Sequence, residues 1–144
     1  MKSEAAFWDA SAIVPLCCHQ DESLAARRLA RQYRKQVVWW GTRIEARSAI
    51  QRLFRERELT AVELRQALAK LAALRASQSV IFPLDELGDL AEEVLDKYAL
   101  RVGDALQLAA ALIWCHHNPK HKLFVCFDLR LAEAARKAGF SVLP

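Results

Sequence analysis

The chain alternates short apolar runs with longer stretches of helical periodicity, and that alternation predicts most of its architecture. Ala5, Phe7 and Trp8 make a first apolar run that ends at Asp9, and Ser11 is placed to cap a helix over 12–18. Residues 21–35 have helical spacing through Leu24, Ala25, Leu29 and Ala30, and are followed by the β-prone run Val37-Val38-Trp39-Trp40, closed by Gly41. Thr42 opens a helix with Ala46, Ala49, Ile50, Leu53 and Phe54 on its apolar face. A second helix from Thr60 aligns Leu64, Leu68 and Leu71, so the two predict an αα-hairpin. Residues 79–82 read as a strand stopped by Pro83, and 84–98 as a helix with Leu87, Leu90, Ala91, Val94 and Leu95 inward. From Asp104 the run DALQLAAALIWC is apolar nearly all round, which predicts a buried helix. Residues 123–127 form a strand ending at Asp128, and a last helix over 129–137 stops at Gly139 before a short edge strand at 140–143. The alternation predicts an α/β fold, doubly wound around a parallel sheet.

Four acids, Asp9, Glu45, Asp104 and Asp128, sit where an apolar run meets a helical pattern. In an open parallel sheet, ligands bind outside the carboxyl ends of the strands, so these four are expected to converge. Crowded carboxylates repel, and a cation relieves them. Each acid also has a plainer reading. Glu45 follows Thr42 by three residues, the spacing of a capping box, and Glu63 repeats it after Thr60. Asp104 and Asp128 suit helix caps, and Asp9 suits an Asx-turn. The argument for one site rests on all four together.

With 144 residues the chain reads as one domain, 1–144, of a size that buries roughly 70% of its unfolded surface without staples. A hydrophobic content of 53% with 4 Gly and 4 Pro excludes a disordered or low-complexity chain. No apolar stretch approaches the ~20 residues of a membrane span, and the acid-bearing start lacks a leader cleavage pattern, so a cytoplasmic location is expected. Cys17, Cys18, Cys115 and Cys126 form no CxxC pair and read as reduced core thiols. Cys115, His116, His117 and His121 lack the matched ligand pairs of a zinc site. Trp8, Trp39 and Trp40 fall on strand positions and read as core or subunit interface. A net charge of +4, with arginines concentrated in 27–34 and 43–57, permits a nucleic-acid partner, although a solvated helix face explains any single one.

The segments FWDASAIVPL, TRIEARSAI, LRVGDALQLAAAL and FVCFDLRLAEAARKAGFSVLP resemble, in order and spacing, the motifs of PIN-domain ribonucleases, in particular the VapC-like toxins of type II toxin-antitoxin pairs. The resemblance implies a three-layer α/β/α domain with a central parallel sheet. It implies that Asp9, Glu45, Asp104 and Asp128 surround one or two Mg²⁺ or Mn²⁺ ions, and that a metal-activated water attacks an RNA phosphodiester, leaving 5′-phosphate and 3′-hydroxyl ends. It also implies a VapB-like antitoxin and a homodimer. The apolar helices over 12–29 and 42–74 are the candidate contact surfaces.

Three positions depart from the family pattern: Ala10 and Cys126 stand where many relatives carry Ser or Thr, and Gln107 where many carry His. A hydroxyl at 126 would orient water or metal through a hydrogen bond that the Cys126 thiol makes poorly. Ser11 keeps a hydroxyl near Asp9, as cap or as participant. Arg43 and Arg47, either side of Glu45, read as phosphate contacts or counter-charges, or as a plain surface pair. Two further classes fit parts of the pattern. One is a non-catalytic PIN-like module that binds RNA or protein. The other is a receiver-type signalling domain, which also groups acids and Mg²⁺ at strand ends, although here Asp9 has no acidic neighbour and no Lys ends a late strand. A nuclease of structured DNA would usually need a longer chain.

Overall fold

A computed structural model describes residues 4–144. Met1, Lys2 and Ser3, which belong to the expected 1–144 domain and to the start read for a leader, lie outside the described residues. The strands are β1 (Ala5–Trp8), β2 (Lys35–Trp39), β3 (Ser79–Ile81), β4 (Leu123–Val125) and β5 (Ser141–Leu143). They form one all-parallel sheet in the order β3-β2-β1-β4-β5. The helices are α1 (Ala10–Cys17), α2 (Ser23–Gln32), α3 (Thr42–Arg55), α4 (Ala61–Ser77), α5 (Asp85–Lys97), α6 (Val102–Trp114) and α7 (Leu129–Ala138).

The strand order decides between two of the sequence readings. Receiver-type domains run 2-1-3-4-5, whereas this chain winds outward from β1 to β3 and then returns to β1's other side for β4 and β5. The receiver reading is therefore set aside. The reversal falls between β1 and β4, and that switch point is where an open α/β sheet leaves its ligand crevice.

Alternation along the strands builds two cores. Phe7, Val37, Trp39 and Phe124 point to the layer of α5, α6 and α7. Ala6, Trp8, Val38 and Val125 point to the layer of α1, α3 and α4. The result is three layers, α/β/α. Helix α6 lies deepest, with Ala105, Gln107, Leu108, Ala109, Ala110 and Ala111 buried, as its nearly unbroken apolar sequence predicts. The Thr42 and Thr60 helices pack as the expected hairpin.

Boundaries differ in instructive places. Helix α1 starts at Ala10 with Asp9 as its cap, so Ser11 lies inside the helix and is not the N-cap. Helix α6 starts at Val102, which puts Asp104 in the first turn and not at the start. Phe54 and Leu95, assigned to buried faces by periodicity, are exposed, as is Leu24 of the 21–35 spacing, because each helix buries only a stripe and these side chains fall past its edge.

Candidate metal centre

Asp9 directly follows β1, and Asp128 follows β4 after Cys126 and Phe127, so the two acids stand at the ends of neighbouring strands. The Asp9 backbone N–H donates to the Val125 carbonyl at 3.2 Å and holds the two junctions together. Glu45 and Asp104 come from the first turns of α3 and α6. A Cβ built on Gly103 would lie 3.6 Å from Glu45 Oε1, so the start of α6 abuts the Glu45 carboxylate. All four acids line one cleft of about 390 Å³. Each sits at a helix N-terminus, where the positive end of the helix dipole favours an anion.

The capping readings separate cleanly. At Thr60 the box forms: Glu63 N–H donates to Thr60 Oγ1 at 3.1 Å, and Thr60 N–H donates to Glu63 Oε1 at 2.9 Å. At Thr42 it does not. Thr42 is buried inside the first turn of α3, and its hydroxyl accepts from Gln107 Nε2 at 2.9 Å. Gln107 Nε2 also reaches Glu45 Oε1 at 3.5 Å, so the Glu45 carboxylate turns to the cleft and away from its own backbone. Asp128 does cap α7, accepting from Leu131 N–H at 3.0 Å through Oδ1. Asp9 accepts from Ser11 N–H at 3.2 Å, the Asx-type turn expected of it.

Ser11 is more than a helix residue. Its hydroxyl donates to Asp9 Oδ1 at 2.7 Å and accepts from the backbone N–H groups of Phe127 at 2.9 Å and Asp128 at 3.2 Å. One proton and two lone pairs are thereby used in full. The Cys126 thiol lies 3.8 Å from the same oxygen and donates to the Asp128 carbonyl at 3.3 Å, so it braces the Asp128 junction from beneath.

Burial raises the pKa of three of the acids. Asp9 is pushed up to about 6, chiefly by desolvation, against the lowering effect of its Ser11 bonds. Glu45 is pushed up to about 7, again chiefly by burial, with Asp9 and Asp104 adding repulsion and Gln107 opposing. Asp104 is raised by burial and by Asp128, while Arg101 and Arg130 pull it down. Among the described residues no basic side chain forms an ion pair with any of the four.

The donor set suits a hard divalent ion: four carboxylates, with no internal counter-ion. As placed, no three His, Cys, Asp or Glu side chains among the described residues are grouped closely enough to chelate one ion together. Mg²⁺ also keeps several of its waters and needs few direct protein ligands.

Other expected residues fall elsewhere. Arg43 and Arg47 do not join the cleft. Residues two apart on a helix face away from each other, so both point from Glu45 into a groove of about 600 Å³ between α3 and α4. Arg43 lies over the Trp40 ring at 5.0 Å. Cys115 donates to the Leu112 carbonyl of α6 at 3.5 Å, and His117 meets Glu86 of α5 at 3.4 Å, so their side chains are engaged with the neighbouring helices. Trp8 and Trp39 are core. Arg101 and Arg130 were missed, although they flank Asp104 and Asp128 in the sequence. Both line a second cavity, of about 570 Å³, that shares Glu45, Asp104 and Asp128.

No protein-family model matches the chain, and no curated protein matches it. Solved structures do. PAE2754 from Pyrobaculum aerophilum superposes with a TM-score of 0.60 at 23% identity, over 97% of this chain and 89% of that one. A toxin-antitoxin complex from Klebsiella pneumoniae gives 0.56 at 15%, over 85% and 86%. VapBC2 from Rickettsia felis, bound to a DNA fragment from its promoter, gives 0.60 at 12%, over 97% and 99%. At such identities the likeness is one of fold, and the fold is the PIN-like α/β/α architecture that the sequence motifs implied.

Proposed function

We propose that this PIN-like chain is a VapC-like toxin, a metal-dependent endoribonuclease that a VapB-like antitoxin restrains. The observation that carries the reading is the convergence of Asp9, Glu45, Asp104 and Asp128 on one cleft at the sheet's switch point, without an ion-paired base. Asp9 and Asp104 are assigned as the central ligands of Mg²⁺, or of Mn²⁺, with Glu45 and Asp128 as further ligands or as holders of metal-bound water. When bound, such an ion neutralises the carboxylates and makes a coordinated water acidic enough to attack phosphorus. The chain's own part is positioning. Ser11 orients Asp9 and ties it to the Asp128 junction, and Gln107 orients Glu45. Helix N-termini at all four acids lower the cost of keeping them ionised.

Two of the structural neighbours are toxin-antitoxin complexes, which supports an antitoxin partner. So do Leu24, Ile44, Phe54 and Val62, large apolar side chains exposed on α2, α3 and α4, the region marked from sequence as antitoxin and homodimer surface. Among the described residues no helix is long and apolar enough to cross a membrane. The test is cleavage of end-labelled total RNA by antitoxin-free protein in Mg²⁺, Mn²⁺ and EDTA, with Asp9→Ala alongside. Discrete cuts that need metal and vanish in the variant are expected. Folded protein that cuts nothing would leave the non-catalytic module as the better reading.

A further inference from the structure

The acidic cleft has two mouths, and they differ in charge. One runs past Val14, Pro15 and Leu53 to Glu22 and Arg52, an acid and a base that offset each other. The other runs past Gly103 to Arg101, Leu129 and Arg130, with two bases and no acid beyond the cluster. Arg130 then continues into an adjoining groove with Lys97, Tyr98 and Lys137. Lys137 is engaged with Glu133 at 3.2 Å, but Arg101, Arg130 and Lys97 make no ion pair among the described residues. Arg101 and Arg130 are exposed, and they are close enough for Asp104 to feel their charge.

A nucleic-acid strand brings one negative charge per nucleotide towards four carboxylates. A metal in the cleft serves the phosphate that reacts, whereas the neighbouring phosphates still meet the acids within a Debye length. Cations outside the cleft must offset that repulsion, and of the two mouths, among the described residues, this one offers cations without an ion pair and without a matching acid. Between Asp128 and Arg130 stands Leu129, 86% exposed. An apolar side chain so placed has a use for an unstacked base, whose face is free, and none for a base inside a duplex.

We propose that the mouth formed by Arg101, Leu129 and Arg130 holds the single-stranded RNA flanking the scissile phosphate. The two arginines contact backbone phosphates and Leu129 contacts an unpaired base. The identity of the strand as RNA substrate rests on the ribonuclease reading above.

The experiment is fluorescence anisotropy of a labelled single-stranded RNA of about twelve nucleotides, in Mg²⁺ on an Asp9→Asn background that leaves it uncut, across a range of salt. Arg101→Gln/Arg130→Gln is expected to weaken binding about tenfold or more and to lower the salt slope by about 1.4, two contacts at ~0.7 each. Leu129→Ala should weaken binding without changing the slope, and Arg47→Gln/Arg75→Gln, in the far groove, should change neither. All these side chains are exposed or line open grooves, and a thermal melt confirms that each variant folds. Unchanged binding in the Arg101/Arg130 pair, or no binding by the parent at low salt, would overturn the proposal. Cleavage by otherwise wild-type protein separates the two claims. A protein that cuts RNA with the same KM after the arginine changes keeps the nuclease and loses this path. A protein that binds through these arginines but never cuts keeps the path as a binding site and loses the nuclease.

Discussion

The Ser11 hydroxyl donates to Asp9 Oδ1 across 2.7 Å, and through it the end of β1 is locked to the end of β4. Removing it in Ser11→Ala strands the Phe127 and Asp128 N–H groups and takes one stabilising bond from the Asp9 carboxylate. The expected cost is about 1–3 kcal/mol in urea unfolding, with a larger proportional loss in RNA cleavage. A variant as stable and as active as the parent would show that the clamp is incidental.

Thr42–Glu45 and Thr60–Glu63 share one spacing and do opposite things. Thr60→Ala should lower stability by about 1 kcal/mol through loss of the cap and leave cleavage unchanged. Glu45→Gln should abolish cleavage and, in metal-free buffer near pH 8, raise the melting temperature, since it removes a buried charge repelled by Asp9 and Asp104.

That pair also shows how far the sequence could be read. The strands, the αα-hairpin, the buried α6 and the four acids followed from periodicity, turn residues and motif order. Spacing could not tell a capping glutamate from a cleft glutamate, because the deciding partner, Gln107, is 62 residues from Glu45. The clamp at Ser11 reaches across 116 residues to Phe127 and was invisible for the same reason. For Arg43 and Arg47 the sequence left phosphate contacts, counter-charges and a plain surface pair open; a 100° step per residue turns both away from Glu45, into the groove between α3 and α4. Arg101 was hidden by the helix start: read from Asp104, the helix leaves it outside, and it becomes a cleft residue once α6 is seen to start at Val102 with Arg101 at its cap position.

Metal-free stability should fall as pH rises. Asp9 is raised from 3.8 to about 6 and Glu45 from 4.5 to about 7, so the folded protein binds these protons more tightly than the unfolded chain. The stabilisation is complete below about pH 4 and is lost as pH climbs through 6 and 7; for Asp9 it is on the order of 3 kcal/mol. Unfolding in EDTA from pH 5 to 8 should show this slope, and Asp9→Asn should flatten it. Cleavage should run the opposite way, rising across the same window as the ligands deprotonate. A metal-free protein that gains stability towards pH 8 would contradict the assignment.

Cys126 occupies a buried position where a hydroxyl would serve the Asp128 junction better than a thiol. Its Sγ reaches the Asp128 carbonyl at 3.3 Å. Cys126→Thr should raise the Mg²⁺-supported cleavage rate several-fold by firming that bond. An unchanged rate would mean that the thiol costs the enzyme nothing.

The central claim is that the four carboxylates form one divalent-metal site, and stability against Mg²⁺ measures it most directly. At ten times its dissociation constant the ion should stabilise the wild-type protein by about 1.4 kcal/mol, and Asp104→Asn should lose most of that gain. An equal gain in both proteins, or none in the wild type, would contradict a metal site at this cleft.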